Sequence, residues 1–87
     1  MNQGNTDQDA PDVAQRLEAR GLKCPLPVLL LRRALARLPH GACVELVGDD
    51  PASAIDMPVF CHQEGHAIEA TWTEGADTHW RIRKNGG

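Results

Sequence analysis

A helical segment flanked by two short strands is the feature that most limits what this chain can fold into. Between Pro25 and Leu38 the apolar residues recur at spacings of three and four, which predicts a helix with one apolar face. Strand-like alternation precedes this segment over residues 15–20 and follows it over residues 43–47. A helical crossover joins parallel strands, so the first half of the chain predicts a β-α-β unit.

The next segment predicts a second helix that starts late. A proline inside a helix removes a hydrogen bond, so we expect Pro58 in the first turn and Asp56 as the N-cap. This placement predicts a loose turn over residues 51–55 and a helix over residues 57–63, ended near Gly65.

The last part of the chain predicts a β-hairpin. Residues 67–73 and 78–83 both alternate between apolar and polar side chains, and a short loop that contains glycine separates them. The side chains expected on the covered face of the sheet are Ile68, Ala70, Trp72, Trp80 and Ile82.

The element order β-α-β-α-β-β predicts an α+β fold. We expect a two-layer α/β sandwich, in which two helices cover one face of a mixed four-stranded sheet. The first three strands should pair in parallel, and the hairpin should add an antiparallel strand. The 87 residues suffice for one domain, placed at residues 13–85 after a polar leader over residues 1–12 that we expect to be disordered.

Composition narrows the classes of function. The net charge of −3, the pI near 5.7 and the scarcity of aromatic residues argue against direct binding of nucleic acid. No secretory signal is visible, and no apolar run approaches the roughly 20 residues that span a bilayer. We therefore expect a cytoplasmic protein without membrane contact. Three cysteines without framework spacing predict free thiols rather than disulfides.

Cys24 is the candidate reactive group. It stands at the expected N-cap of the first helix, with Pro25 at the first helical position. The helix N-terminus, the adjacent Lys23 and the nearby Arg20 should favour the thiolate, and a strand–helix corner should leave the thiol exposed. Pro25 and Pro27 should stiffen this corner by fixing two φ angles.

The residue pattern alone leaves several roles open for this thiol. No second cysteine stands at Cys-x-x-Cys spacing and no base is near in sequence, so a lone thiol that carries sulfane sulfur is one interpretation. A buried structural cysteine fits the pattern about equally well. A redox or peroxide-sensing thiol and a binding module that uses Arg81, Arg83 and Lys84 on an open sheet face are further alternatives.

The remaining candidate residues are predicted to be structural. Cys43 and Cys61 are expected to be packed core thiols, with a secondary sulfur or resolving role as the alternative for Cys61. Cys61, His62 and His66 are metal-ligand types, but Gly65 interrupts their helical spacing, so no metal site is predicted. The acidic residues expected to act in a turn or cap are Asp49 and Asp50.

The motif Gly-Leu-Lys-Cys-Pro-Leu-Pro at residues 21–27, followed by Arg-Arg-Ala-Leu at residues 32–35, resembles the signature of the TusA/SirA sulfur-carrier family. The resemblance covers about residues 15–85, with its blocks in order and at matching spacing. The later blocks that carry it are residues 49–52, 56–61, 65–66 and 82–84.

This resemblance implies that Cys24 accepts sulfur as a persulfide from a cysteine desulfurase or a rhodanese, and needs no other cofactor. It also implies transfer to a relay protein of the DsrE-like kind, in tRNA 2-thiouridine synthesis, molybdenum cofactor supply or sulfur oxidation. By the same resemblance, Pro25 and Pro27 shape the loop around the thiol. Leu26 stands where tRNA-thiolation members often carry Glu, and Glu18 where Asp is frequent. A carrier that docks two partners in turn at one corner is expected to be a monomer.

Overall fold

The computed structural model describes residues 13–85, and the predicted leader over residues 1–12 lies outside the described residues. Six elements follow the predicted order. They are β1 (Val13–Ala19), α1 (Leu26–Ala36), β2 (Cys43–Gly48), α2 (Pro51–Glu64), β3 (Ala67–Glu74) and β4 (Asp77–Arg83). The predicted α+β sandwich, with two helices and a mixed four-stranded sheet, is confirmed.

The strand order in the sheet is β1-β2-β4-β3. β1 and β2 are parallel, and β4 is antiparallel to both of its neighbours. β3 therefore points the same way as β1 and β2, but it pairs with β4, and the predicted parallel pairing of all three strands was wrong. The burial of the two strands explains why β4, and not β3, pairs with β2. Trp80 and Ile82 of β4 are buried as predicted, whereas every side chain of β3 is exposed or half-buried, as suits an edge strand.

Both helices cover the same face of the sheet. Apolar residues from the two helices and from three strands form one core beneath them. Its largest fully buried side chains include Leu31, Leu46, Met57, Ile82 and Val44. Neither helix of the described residues is long and apolar enough to cross a membrane.

The second helix starts earlier than predicted. It begins at Pro51, and the carboxylate of Asp50 caps it by accepting a hydrogen bond from the Ser53 N–H. Pro58 therefore lies inside the helix, on its exposed side, and the helix continues past it without that hydrogen bond. The predicted end near Gly65 is confirmed by a left-handed C-cap at φ 82°.

A bulge reverses the facing of β3 partway along the strand. Ile68 packs against the core as predicted, but the register shifts between Ile68 and Ala70. Beyond the bulge, Ala70 pairs with Arg81 and Trp72 pairs with His79. Ala70 and Trp72 therefore lie on the open face, and their predicted inward orientation was wrong. One extra residue in a strand defeats any prediction based on strict alternation.

Candidate functional site

Cys24 lies in the loop between β1 and α1, and its side chain is exposed. α1 begins at Leu26 with Pro25 as its N-cap, so Cys24 precedes the cap by one residue instead of occupying it as predicted. Pro27 lies in the first turn and is fully buried, which fixes the start of the helix against the core. The predicted exposure of the thiol at the strand–helix corner is confirmed.

Two consecutive acidic residues hold the loop that carries the thiol. Because β1 and β2 are parallel neighbours, their C-terminal ends lie at the same edge of the sheet. Asp49 accepts a hydrogen bond from the Gly21 N–H at 2.9 Å, and Asp50 accepts one from the Cys24 N–H at 2.9 Å. The predicted capping role is confirmed for Asp50, and both carboxylates also brace the loop.

A third carboxylate contacts the thiol itself. The Sγ–H of Cys24 donates to Oδ2 of Asp56 at 2.6 Å. Asp56 projects from α2, three residues after the buried Ser53, and is not the N-cap that we predicted. Asp56 lies 32 positions from Cys24, so proximity in sequence gave no sign of this base. In a helix that begins at Pro51, Asp56 follows Ser53 by three positions, so the two residues are neighbours on one face of the helix.

The site favours the thiol over the thiolate. The hydrogen bond to Asp56 and partial removal from water raise the pKa of Cys24 above its ordinary value, and the negative charges of Asp56 and Asp50 act in the same direction. The prediction that the surroundings would favour the thiolate was therefore wrong. The helix N-terminus attracts negative charge, but two nearby carboxylates outweigh it.

The other two cysteines are packed in the core, as predicted. Cys43 is 0% exposed and Cys61 is 1% exposed. Burial raises the pKa of the Cys61 thiol to about 11. All three cysteines of the chain are among the described residues, and only Cys24 is exposed. Any thiol chemistry with an outside molecule therefore falls to Cys24.

Four exposed apolar side chains lie close in sequence to Cys24 or to Asp56. Leu26 and Leu29 follow Cys24 along α1, while Ile55 and Val59 lie beside Asp56 on α2. Their exposure ranges from 47% for Leu29 to 71% for Ile55. They are the exposed large hydrophobic residues of the described chain, and we call them the apolar collar. Exposed apolar side chains on two neighbouring helices are candidates for contact with another protein.

The comparison with known families identifies the chain. The sequence model of the family described as sulfurtransferase TusA matches residues 15–84. The chain belongs to the sulfurtransferase TusA family. TusA proteins act in general as sulfur carriers or sulfurtransferases that interact with sulfur donors and acceptors, and the match includes Cys24, both acids that brace its loop, and Asp56.

In this TusA-family chain the predicted cationic neighbours do not act on the thiol. Arg20 binds Glu18 at 2.6 Å and Asp77 at 3.4 Å. The paired hydrogen bonds with Arg20 lower the pKa of Glu18 to about 2. The pKa of Asp50 is lowered by the Cys24 N–H, then by hydrogen bonds from Ser53, and to a smaller extent by the charge of Lys23. The charge of Lys23 thus stabilises the ionised carboxylate of Asp50, and Arg20 is paired with Glu18 and Asp77.

The arginines of the open sheet face are paired with acids. Arg81 Nε lies 2.9 Å from Glu45 Oε2, and Arg83 Nε lies 2.7 Å from Glu69 Oε2. Pairing of each guanidinium with a carboxylate removes the net positive charge that an RNA-facing surface would need. The alternative of a basic binding face therefore loses its support in this TusA-family protein.

Lys84 does not reach the open face. It is 7% exposed, and its Nζ donates to the carbonyls of Leu35 at 2.7 Å and Leu38 at 2.8 Å. The Leu35 carbonyl belongs to the last turn of α1 and the Leu38 carbonyl to the residue after its C-cap, where a cation satisfies unpaired carbonyls and interacts favourably with the helix dipole. Lys84 is thus a buried helix cap rather than a surface charge.

One concavity of the TusA-family chain does not include the thiol. It has a volume of about 570 Å³ and lies on the open sheet face, beside the ring of Trp72, which stacks on His79 at 5.0 Å. No residue of the Cys24 loop lines it. This concavity is therefore separate from the Cys24 loop.

The histidine near the second core thiol has structural contacts. His66 donates its backbone N–H to the Cys61 carbonyl at 2.8 Å, and its Nδ1 accepts a hydrogen bond from the Asn85 N–H at 3.3 Å. Partial burial lowers the pKa of His66. Over residues 13–85 no three His, Cys, Asp or Glu side chains gather as metal ligation would require.

Proposed function

We propose that this chain carries sulfane sulfur as a persulfide on Cys24 and relays it from a donor protein to an acceptor protein. The observation that carries the proposal is that Cys24 is exposed, whereas Cys43 and Cys61 are buried, in a chain of the TusA family. A covalently held sulfur atom has to be within reach of two partners in turn, which an exposed corner allows.

The transfer is an exchange between a persulfide and a thiol, without net oxidation or reduction. The sulfur of Cys24 attacks the terminal sulfur of the donor's persulfide, so a new S–S bond forms at Cys24 while the donor's S–S bond breaks. The donor's sulfur leaves as a thiolate. The acceptor thiolate then attacks the terminal sulfur on Cys24 in the same way, and the Cys24 thiol is regenerated. No cofactor is needed beyond the persulfide itself.

The apolar collar supports docking of both partners around the thiol. A partner that covers Leu26 and Ile55 buries apolar surface while it brings its own cysteine to Cys24. The donor is a cysteine desulfurase or a rhodanese, and the acceptor is a DsrE-like relay protein. Pro25 and Pro27 limit the motion of the loop, so that the partner meets a fixed thiol.

We place the carrier in the cytoplasm, as a monomer, in tRNA 2-thiouridine synthesis, molybdenum cofactor supply or sulfur oxidation. Leu26 contributes half of its surface to the collar, at the position where tRNA-thiolation members often carry Glu. An apolar residue at this position favours an apolar partner surface. This favours one of the other two pathways.

The raised pKa of Cys24 disfavours the alternative of a peroxide or redox sensor. Sensor cysteines react as thiolates and have low pKa values. The carboxylate of Asp56 acts in the opposite direction. A carrier tolerates a protonated resting thiol, because its reaction occurs only when a partner is bound.

Intact mass spectrometry tests the carrier function. The protein is incubated with a cysteine desulfurase and cysteine, or with a rhodanese and thiosulfate. We expect a gain of about 32 Da, one sulfur atom, that reductant removes. Cys24→Ser should not gain this mass, while the control Cys61→Ser should. Label that persists in Cys24→Ser and vanishes in Cys61→Ser would refute the site, and no gain with either donor would refute the function.

A further inference from the structure

Asp56 touches the atom that reacts. Its Oδ2 accepts the hydrogen bond of the Cys24 Sγ–H at 2.6 Å, across the gap between the loop and α2. Asp56 lies in the interior of α2, where no capping role requires a carboxylate. We propose that Asp56 is the catalytic proton acceptor and donor of the carrier, a role that rests on the proposed function of Cys24.

The neighbouring acid cannot take this role as readily. Oδ2 of Asp50 already accepts from the Cys24 N–H at 2.9 Å, from the Ser53 N–H at 3.1 Å and from the Ser53 hydroxyl at 3.0 Å. Asp50 thus holds the loop in place, while Asp56 faces the sulfur. The two carboxylates near Cys24 therefore have different roles.

The proton moves in step with the sulfur. When a persulfide donor docks, Cys24 Sγ attacks its terminal sulfur, and the Sγ–H proton passes to Oδ2 of Asp56. The donor's S–S bond breaks, and its own sulfur leaves as a thiolate. The products are a Cys24 persulfide and a neutral Asp56. No free Cys24 thiolate has to form beforehand.

Unloading reverses the proton transfer. The acceptor thiolate attacks the terminal sulfur, and the electrons of the broken S–S bond return to Cys24 Sγ. Asp56 then gives its proton back to this sulfur, which restores the thiol and the carboxylate. The acid and the base are the same group, as the reversal of one step requires.

The pH dependence distinguishes this role from simple suppression of the thiolate. The charged groups that act on Cys24 are Asp56 from α2 and Asp50 from the turn before it, and the adjacent Lys23 acts on Asp50. If Asp56 takes the proton during attack, the wild-type rate needs no free thiolate. In Asp56→Asn the reaction does need it, and the thiolate fraction falls about tenfold for each pH unit below the pKa.

The experiment measures the rate of sulfur loading from glutathione persulfide, by mass spectrometry, between about pH 6 and pH 8. The quantity compared is the ratio of the Asp56→Asn rate to the wild-type rate, because ionisation of the persulfide affects both proteins equally. Glu64→Gln, the same charge change at the far end of α2, is the matched control. We expect the Asp56→Asn ratio to fall about tenfold per pH unit on acidification and the Glu64→Gln ratio to stay near one.

A ratio for Asp56→Asn that exceeds one and does not change with pH would overturn the proposal, since Asp56 would then only disfavour the thiolate. Asp56→Glu, which keeps a carboxylate, should retain the wild-type pH profile. If the Asn variant does not fold, the rate of Asp56→Ala is compared with that of Asp56→Glu instead. If wild type takes up no sulfur, the carrier function itself fails. The same ratio measured with iodoacetamide, which alkylates Cys24 without sulfur transfer, then still decides the role of Asp56.

Discussion

The buried ammonium of Lys84 offers the most direct test of how the structure holds the helix that presents the thiol. Lys84→Met keeps the apolar stem and removes the charge and its two hydrogen bonds to the end of α1. The Leu35 carbonyl keeps a second donor, the Leu38 N–H at 3.1 Å. The Leu38 carbonyl loses its Lys84 donor in a half-buried position. The main loss is therefore at one carbonyl, with a smaller loss at the other.

Hydrogen bonds to a charged group contribute about 1.5–3 kcal/mol each, so we expect the free energy of unfolding to fall by about 3 kcal/mol. For a domain of this size, that loss lowers the melting temperature by about 12–24 °C. Urea unfolding followed by tryptophan fluorescence gives the free energy, and a thermal melt gives the temperature. Arg37→Met, an exposed cation near the same helix end, is the control and should change stability by less than about 0.5 kcal/mol.

An equal, small effect of both substitutions would refute this interpretation of Lys84. The alkylation rate of Cys24 gives a second readout. The thiol lies at the opposite end of α1, so folded Lys84→Met should react with iodoacetamide at the wild-type rate. A large change in that rate would mean that the helix end controls the site, which the contacts do not indicate.

Three further predictions concern the site and its charges. Asp56→Asn should lower the pKa of the Cys24 thiol, followed by the ultraviolet absorbance of the thiolate, because the carboxylate that raises this pKa is gone; an unchanged titration contradicts the contact. Leu26→Asp should slow loading from a protein donor but not from glutathione persulfide, whereas Thr73→Asp on the edge strand should slow neither; equal slowing with both donors would argue against docking at the collar. The lowered pKa of Glu18 stabilises the fold above its unfolded pKa near 4.5, and this contribution is lost as pH falls toward about 2. Glu18→Gln should therefore weaken the acid dependence of the urea midpoint, and a dependence equal to wild type would refute the Arg20 pairing.

The elements could be predicted from the sequence because each depends on local periodicity. The apolar face of α1 and the alternation in β1, β2 and β4 are properties of short segments. The predicted start of α2 was wrong because the cap at Asp50 and the proline at the first helical position begin the helix earlier, and Pro58 does not break it. A proline inside a helix costs about 3 kcal/mol, and whether packing of the helix offsets this cost depends on distant segments.

The strand order and the site depend on contacts between distant segments. A single extra residue in β3 turned Trp72 to the open face, and local alternation carries no sign of it. The sequence pointed to Cys24 as the candidate residue and predicted its exposure, which is confirmed. It did not predict the direction of its pKa shift, because Asp56 approaches through the packing of α2 beside the loop. Proximity in sequence placed Lys23 and Arg20 near the thiol, but their charges are directed to carboxylates.

The two carboxylates at Asp49 and Asp50 tie the thiol loop to the turn from which α2 begins. Cys24 and Asp56 therefore move together, since one loop and one helix are joined at their bases. A visiting protein meets a surface that is already shaped, so little of its binding energy goes into ordering the loop. Such a surface allows brief complexes, in which a partner arrives, exchanges one atom and departs. Rapid exchange of partners, more than tight binding, is what a shuttle between two proteins requires.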